Sequence, residues 1–411
     1  MRRSIPLGLA AALAVLAGCN SNNATGPNPD GGNTGCISGE TKFDNLCVVA
    51  PTVEAQRTAC GDVTEYCDPA GAKSPSLGCL TAAPKTHPQS PATVTLTGYL
   101  HPFSGGRSNA EALVQIFKAA DLAGGADPSD ATKVTPLAQL TIGFDPSTAT
   151  DPTQFRACDI EPSVGCVPTT PDACKAPTCF DGLEGRMDQM QYCRTVNGQP
   201  QCSMRLRWEP RYSIDNLPTN TPLVIRTTGA PGTAGVDVWR TLVTWNVFLA
   251  GDDKSCGGDS QATDCLDTSD MAHPKYQLNI NVISKADYDN IPVTAGLANG
   301  ISPSEGAVAG EVHDCDNVRV ANVQIAVQPG GDRLTYFNGD PFNTVPDSSR
   351  ATVGTDRLGL YASLNVVPGP VIVEAVGLVG GKETSLGKFT AHVYPSAVSV
   401  VNLNGGKPVQ Q

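Results

Sequence analysis

The fifteen cysteines carry most of the reactive chemistry in this 411-residue chain. A thiolate can ligate zinc, attack a carbonyl or pair with a second thiol, and spacing helps to separate the three. Zinc favours pairs two to four residues apart, accompanied by His. Only Cys174 and Cys179 have that spacing, no C-x-x-C occurs, and the five histidines, His87, His101, His273, His313 and His392, are dispersed. Neither H-x-x-E nor H-E-x-x-H is present for a metallopeptidase, and there is no G-x-S-x-G elbow for a serine nucleophile. Disulfide pairing is the reading that remains. The cysteines fall in groups: Cys36, Cys47, Cys60, Cys67 and Cys79; Cys158, Cys166, Cys174, Cys179, Cys193 and Cys202; Cys256 and Cys265; and Cys315 by itself. The first and last groups are odd in number, so Cys315 is predicted to pair with a member of the first and to staple it to the C-terminal region.

Cys19 stands apart. Leu16-Ala17-Gly18-Cys19 follows Arg2-Arg3 and an apolar run from Leu7 to Ala17. A basic start, a short apolar stretch and small residues before the cut describe a bacterial signal peptide over residues 1–18. The run is shorter than the roughly 20 residues that span a bilayer. The tetrapeptide resembles the lipobox of bacterial lipoproteins. That resemblance implies that Cys19 becomes the first mature residue, carries acyl chains such as palmitate and anchors the protein to a membrane. Asn20, where Asp would retain the protein at the inner membrane, implies on the same resemblance the outer membrane and a place in the cell envelope. Setting Cys19 aside leaves fourteen cysteines, enough for seven disulfides in an oxidising space.

Charge narrows the partners. The formal charge is -12, and removing residues 1–18 leaves 26 basic against 40 acidic residues, or -14. Such a surface repels phosphate backbones and argues against nucleic acid. Six aspartates, Asp252, Asp253, Asp259, Asp264, Asp267 and Asp270, crowd one loop with a single Lys254. They are candidate calcium ligands. No D-x-D-x-D-G register is present, and a solvated acidic loop is the other reading. His101 and His313 each follow a glycine by three residues, Gly98 and Gly310, which fits a shared site or a repeated strand end. Asp314-Cys315-Asp316-Asn317 has the residue types of a turn leaving a strand. Trp239 and Trp245 share a predicted strand face with Thr241, Val243, Val247 and Leu249 and are assigned to the core. Trp208, beside Arg205, Arg207 and Arg211, is the better candidate for an exposed ring.

The elements that would hold these residues are strands. Gly and Pro number 75 together, which points to many turns and short strands. Residues 19–35 hold no large apolar side chain and are expected to be a flexible tether. Residues 36–83 form a cysteine-rich N-terminal module, followed by an extended Pro-containing connection. Residues 92–283 and 304–405 read as two β-sandwich domains joined by a linker, 284–303. The first carries a cysteine-rich insertion, 145–205, expected to be a loop excursion fixed by disulfides. Residues 110–120 fit helix or strand, and an internal repeat decides for strand. Gly98-Tyr99-Leu100-His101 with Val114-Gln115-Ile116 recurs as Gly310-Glu311-Val312-His313 with Val323-Gln324-Ile325. Likewise Tyr212 to Pro218 before Leu223-Val224-Ile225 recurs as Tyr361 to Pro368-Gly369 before Val371-Ile372-Val373.

That order of glycine, V-x-I strand and Y-x-x-x-N-V-x-P-G-x-V-x-V resembles the carboxypeptidase regulatory-like domain family, a transthyretin-like sandwich. It covers about a quarter of the chain closely and the first copy loosely. The resemblance implies the accessory domain without its enzyme. The expectation is therefore an all-β, cell-envelope lipoprotein acting as a non-catalytic surface binding or structural protein, with no cofactor. Its partners would be the membrane, through the lipid, and a protein or polysaccharide of the envelope. A carbohydrate-binding module is the alternative, and a hydrolase with an unrecognised site the remote one.

Overall fold

The computed structural model describes residues 36, 39–61, 66–80, 91–103, 110–142, 185–196, 199–249, 255–256, 263–267, 269–270, 272–340 and 344–404, with the backbone alone at 185–208. The fold is all-β, as expected. An N-terminal segment supplies β1 (Glu40–Phe43), β2 (Leu46–Val49) and β3 (Gln56–Arg57). A first set comprises β4 (Thr93–Pro102), β5 (Ala112–Lys118), β6 (Ala138–Ile142), β7 (Gly185–Val196), β8 (Gln199–Pro218), β9 (Pro222–Gly229), β10 (Trp239–Phe248), β11 (Cys265–Asp267), β12 (Lys275–Gln277) and β13 (Ile280–Ser284). The second set comprises β14 (Gly306–His313), β15 (Val320–Ala321), β16 (Val323–Gln328), β17 (Arg333–Tyr336), β18 (Leu360–Val366), β19 (Gly369–Val379), β20 (Lys382–Val393), β21 (Ala397–Val401) and β22 (Leu403–Asn404).

Each set is a pair of layers closing on one apolar core. In the first, β8 pairs antiparallel with β4, which also takes β12 and β13 in parallel, while β9 lies between β5 and β10. Leu96 and Leu100 of β4, Ile116 of β5 and Ile225 of β9 meet between the layers. In the second, β18 pairs with β14, which takes β21 and β22 in parallel, while β19 lies between β16 and β20. Val308, Ile325, Tyr361, Val373 and Phe389 fill that core. The alternation of apolar and polar residues along these strands is what buries one face of each.

The repeat has a physical basis at its glycine. Gly98 lies opposite Tyr212, and Gly310 opposite Tyr361. A Cβ on Gly98 would sit 1.8 Å from the Leu278 carbonyl oxygen, and one on Gly310 would sit 2.0 Å from that of Val401. In each copy the facing tyrosine donates its hydroxyl to that same carbonyl, Tyr212 to Leu278 at 2.5 Å and Tyr361 to Val401 at 2.6 Å. The following asparagines, Asn216 and Asn365, both adopt left-handed backbone, which Asn tolerates better than most residues.

Three sequence expectations change. The connection 284–303 is not a plain linker: Lys285–Thr294 is helical, begun by Ser284, whose oxygen accepts from the Asp287 amide while its hydroxyl donates to the Asp287 carboxylate. Part of the insertion 145–205 is not loop either. β7 and β8 form a long hairpin whose register sets Cys193 opposite Cys202, and Asn197-Gly198 between them is a hairpin-turn signal in the sequence. Trp239 and Trp245 are both buried, but they do not share a core. Trp239 packs with Val247 and Leu249, and Trp245 with Val243, because the β9–β10 register shifts between Thr244 and Val247, with Asn246 left-handed.

The two sets share a sheet. β10 of the first runs parallel to β21 of the second, from Thr241 beside Ala397 to Trp245 beside Val401. Leu242, Ile283, Tyr288, Ala307, Leu360 and Val398 form an apolar cluster at this seam.

Candidate functional site

The residues with most chemical potential gather where the N-terminal segment crosses the edge of the second sandwich. The segment is fixed there by backbone first. β3 pairs antiparallel with β15, the Thr58 amide donates to the Arg319 carbonyl, and the Arg319 amide donates to the Tyr66 carbonyl. Further along, the Cys315 amide donates to the Ser76 carbonyl. Cys315 is bonded to Cys79, a closure of 236 residues in sequence, and the other described bridges are Cys36–Cys47, Cys60–Cys67 and Cys256–Cys265. At the opposite flank the β1–β2 hairpin lays Leu46 and Val48 on Ala326 and Val376, and both carboxylate oxygens of Glu54 accept from the amides of Gly380 and Gly381.

At the crossing, Arg57 faces three carboxylates. Its guanidinium lies 3.1 Å from Asp68, 3.0 Å from Asp314 and 3.1 Å from Asp316. Asp314 has no exposed side-chain surface, whereas Asp316 is more than half exposed. Asp314 Oδ1 accepts from the amides of Asp316 and Val318, and Oδ2, which faces Arg57, accepts from the Ser76 amide. The turn Asp314–Asn317 is thus organised around one buried carboxylate.

A second group lies beside it. Glu311 accepts from Arg319 Nε at 2.9 Å and Nη2 at 3.3 Å, and pairs with His313 Nε2 at 2.8 Å. His313 Nδ1 lies 2.7 Å from Asn317 Oδ1. Burial would raise the Glu311 carboxyl, but Arg319 and His313 outweigh it and hold it well below the usual carboxylate range. The Tyr66 ring packs against both side chains: Arg319 stands 5.0 Å from its centroid and the His313 ring 4.9 Å. Tyr66 donates its hydroxyl to Asp264 at 2.6 Å. Three disulfides therefore meet here, since Tyr66 adjoins Cys67, Asp264 adjoins Cys265, and Cys315 lies within the turn. This arrangement fixes charged side chains against one another.

The other candidates are spread out. His101 pairs with the fully buried Glu209 at 2.8 Å in the first sandwich, so the two matched histidines each hold a glutamate of their own copy rather than a common ligand. Of the six aspartates, Asp264 serves Tyr66. Asp267 and Asp270 accept from the amides of Ser269 and Ala272, and Asp270 also contacts His273. Asp252, Asp253 and Asp259 lie outside the described residues, as do Cys19, Cys158, Cys166, Cys174, Cys179 and the Trp208 side chain. Among the described residues, the place where three potential metal ligands come within reach is Cys36, Glu40 and Cys47, and there the two sulfurs are bonded to each other.

Sequence reasoning missed Arg57, Tyr66, Glu311 and Arg319, because nothing in their spacing announces a meeting across 200 residues. It also missed a cavity of about 360 Å³ on the outer face of β6, β5 and β9. Its floor is a cross-strand row, Gln139, Gln115 and Arg226, and its wall is the segment from Pro128 to Pro136. The visible signal was an arginine directly after the apolar run Leu223-Val224-Ile225.

No family model matches the chain, and no curated protein does. A solved leucine-rich repeat protein from Bacteroides thetaiotaomicron overlaps 76% of this chain at 9% identity and a TM-score of 0.16. The chain spans about a quarter of that protein's length, and a TM-score this low carries no argument.

Proposed function

We propose that the chain is a cell-envelope lipoprotein, anchored through acylated Cys19 to the outer membrane and acting as a non-catalytic binding or structural surface protein. The observation that carries this reading is the Arg57 crossing with the Cys79–Cys315 bridge. Disulfides belong to oxidising compartments, and charged groups locked to one another by ion pairs serve rigidity rather than turnover. The paired Gly–Tyr–carbonyl geometry of the two copies supports the further reading that both are carboxypeptidase regulatory-like sandwiches. Metabolic labelling of the producing cell with an alkyne fatty acid tests the anchor. The label is expected on the wild-type chain and absent from Cys19→Ala, with the wild type fractionating to the outer membrane. An unlabelled wild-type chain released to the medium would overturn it.

The second reading, a carbohydrate-binding module, is favoured by the polar cavity on the first sandwich. A glycan panel tests it, and a flat response across neutral and acidic sugars would remove it.

A further inference from the structure

The two copies treat one matched face differently. In the second sandwich, Gln324 of β16 lies opposite Val376 of β19. There Gln324 is fully buried, its amide oxygen accepts from the Tyr336 hydroxyl at 2.9 Å, and the β1–β2 hairpin seals Val376 with Leu46 and Val48. In the first sandwich Gln115 of β5, the match of Gln324, lies opposite Arg226 of β9. Among the described residues no hairpin covers it, and the cavity of about 360 Å³ opens above.

Arg226 is held by the sheet with donors to spare. Its Nη1 donates to Gln115 Oε1 at 2.6 Å, and Gln115 Nε2 in turn donates to Gln139 Oε1 at 3.3 Å. Its Nε has no hydrogen-bond partner among the described residues. A guanidinium carries five N–H donors, and among the described residues one is used. Burial pushes the group below its usual value while Asp127 works against the shift; Asp127 is itself engaged in accepting the Ser129 amide at 2.7 Å. The lining adds Thr228 and Ser129 as hydroxyl partners and Leu113, Pro128 and Pro231 as apolar surfaces.

We propose that this cavity binds a small hydroxylated carboxylate of the uronic-acid class, with Arg226 taking the carboxylate and Gln115, Gln139 and Thr228 the hydroxyls. A planar carboxylate matches a guanidinium edge, and the volume falls at the small end of ligand sites. This deepens the carbohydrate-binding reading and rests on it.

The test is calorimetry on the full chain with D-glucuronate, D-glucose and acetate as separate titrants. Glucuronate is expected to bind at millimolar or lower concentration and about tenfold more tightly than glucose or acetate. Arg226→Gln is expected to weaken it about tenfold with an unchanged melting temperature. Should that variant fail to fold, Gln139→Leu, at the exposed end of the floor row, is expected to weaken glucuronate severalfold. Binding of glucose but not glucuronate would overturn the assignment while leaving the carbohydrate reading intact. Equal affinity for acetate and glucuronate, no glucuronate binding, or undiminished binding by a folded variant would also overturn it.

Discussion

Tyr361 donates its hydroxyl to the Val401 carbonyl at 2.6 Å, over the Cα of Gly310. The bond ties β18 to β21 across β14, and Tyr212 and Leu278 repeat it in the first sandwich. Tyr361→Phe is expected to cost about 1 kcal/mol, a typical net hydrogen bond, read from the denaturant midpoint at unchanged slope. Gly310→Ala removes no bond but places a methyl group against fixed backbone. It is expected to cost more than about 4 kcal/mol or to abolish soluble expression. Equal effects of the two substitutions would refute this account of the repeat.

Arg57 is expected to matter more than its partly exposed position suggests. Arg57→Met leaves Asp314 buried without its cation, which for a broken buried pair costs about 3 to 5 kcal/mol. Urea melts and limited proteolysis of residues 36–80 measure it. A loss below about 1 kcal/mol would reduce the crossing to surface decoration.

Two carboxylates make stability depend on pH with opposite signs. The Glu311 carboxyl is depressed in the folded chain, so its contribution is complete above the ordinary Glu value of about 4.3 and is lost as pH falls through the depressed value. Asp356 is the reverse case. It is 2% exposed, and burial pushes its carboxyl up to about 6 against the amides of Leu358 and Leu360. The folded state then binds the proton more tightly, and a penalty of roughly 3 kcal/mol builds as pH rises from about 4 to 6. Asp356→Asn is expected to flatten that fall in stability, and Glu311→Gln to flatten the loss at acid pH. Melting temperatures across pH 3 to 8 check both, and parallel profiles for wild type and variants would contradict them.

Removing the long closure is the fourth test. Cys79→Ala with Cys315→Ala is expected to cost up to about 5 kcal/mol by the loop-closure model, because the bridge spans 236 residues. Cys256→Ala with Cys265→Ala, closing a separation of 9, is expected to cost markedly less. A reversed order in thermal melts would show that native packing, not chain closure, sets the value.

Much of the fold was legible because the repeat wrote it twice. Gly98 and Gly310, the V-Q-I strands and the Tyr–Asn segments marked equivalent positions, and each has a cause in close backbone approach or a left-handed turn. The odd cysteine count pointed Cys315 toward the N-terminal group, though not to Cys79 in particular. What stayed hidden were pairings without local pattern. β3 and β15 are two residues each, too short for any alternation to register. The parallel seam between β10 and β21 joins apolar strands that read identically whether they face a neighbour or end a sheet. The partners of Arg57 and Arg226 were hidden for the same reason: they are chosen by the fold, not by spacing.

The Cys79–Cys315 bridge also decides how a pull would travel. Tension applied ahead of Cys79 passes through the sulfurs into β14's turn without entering residues 80–314 in series. The first sandwich, with its cavity and hairpin, hangs within a covalently closed bypass. Load on the N-terminal segment would strain the Arg57 crossing and the second sandwich, while the first would be spared the covalent load.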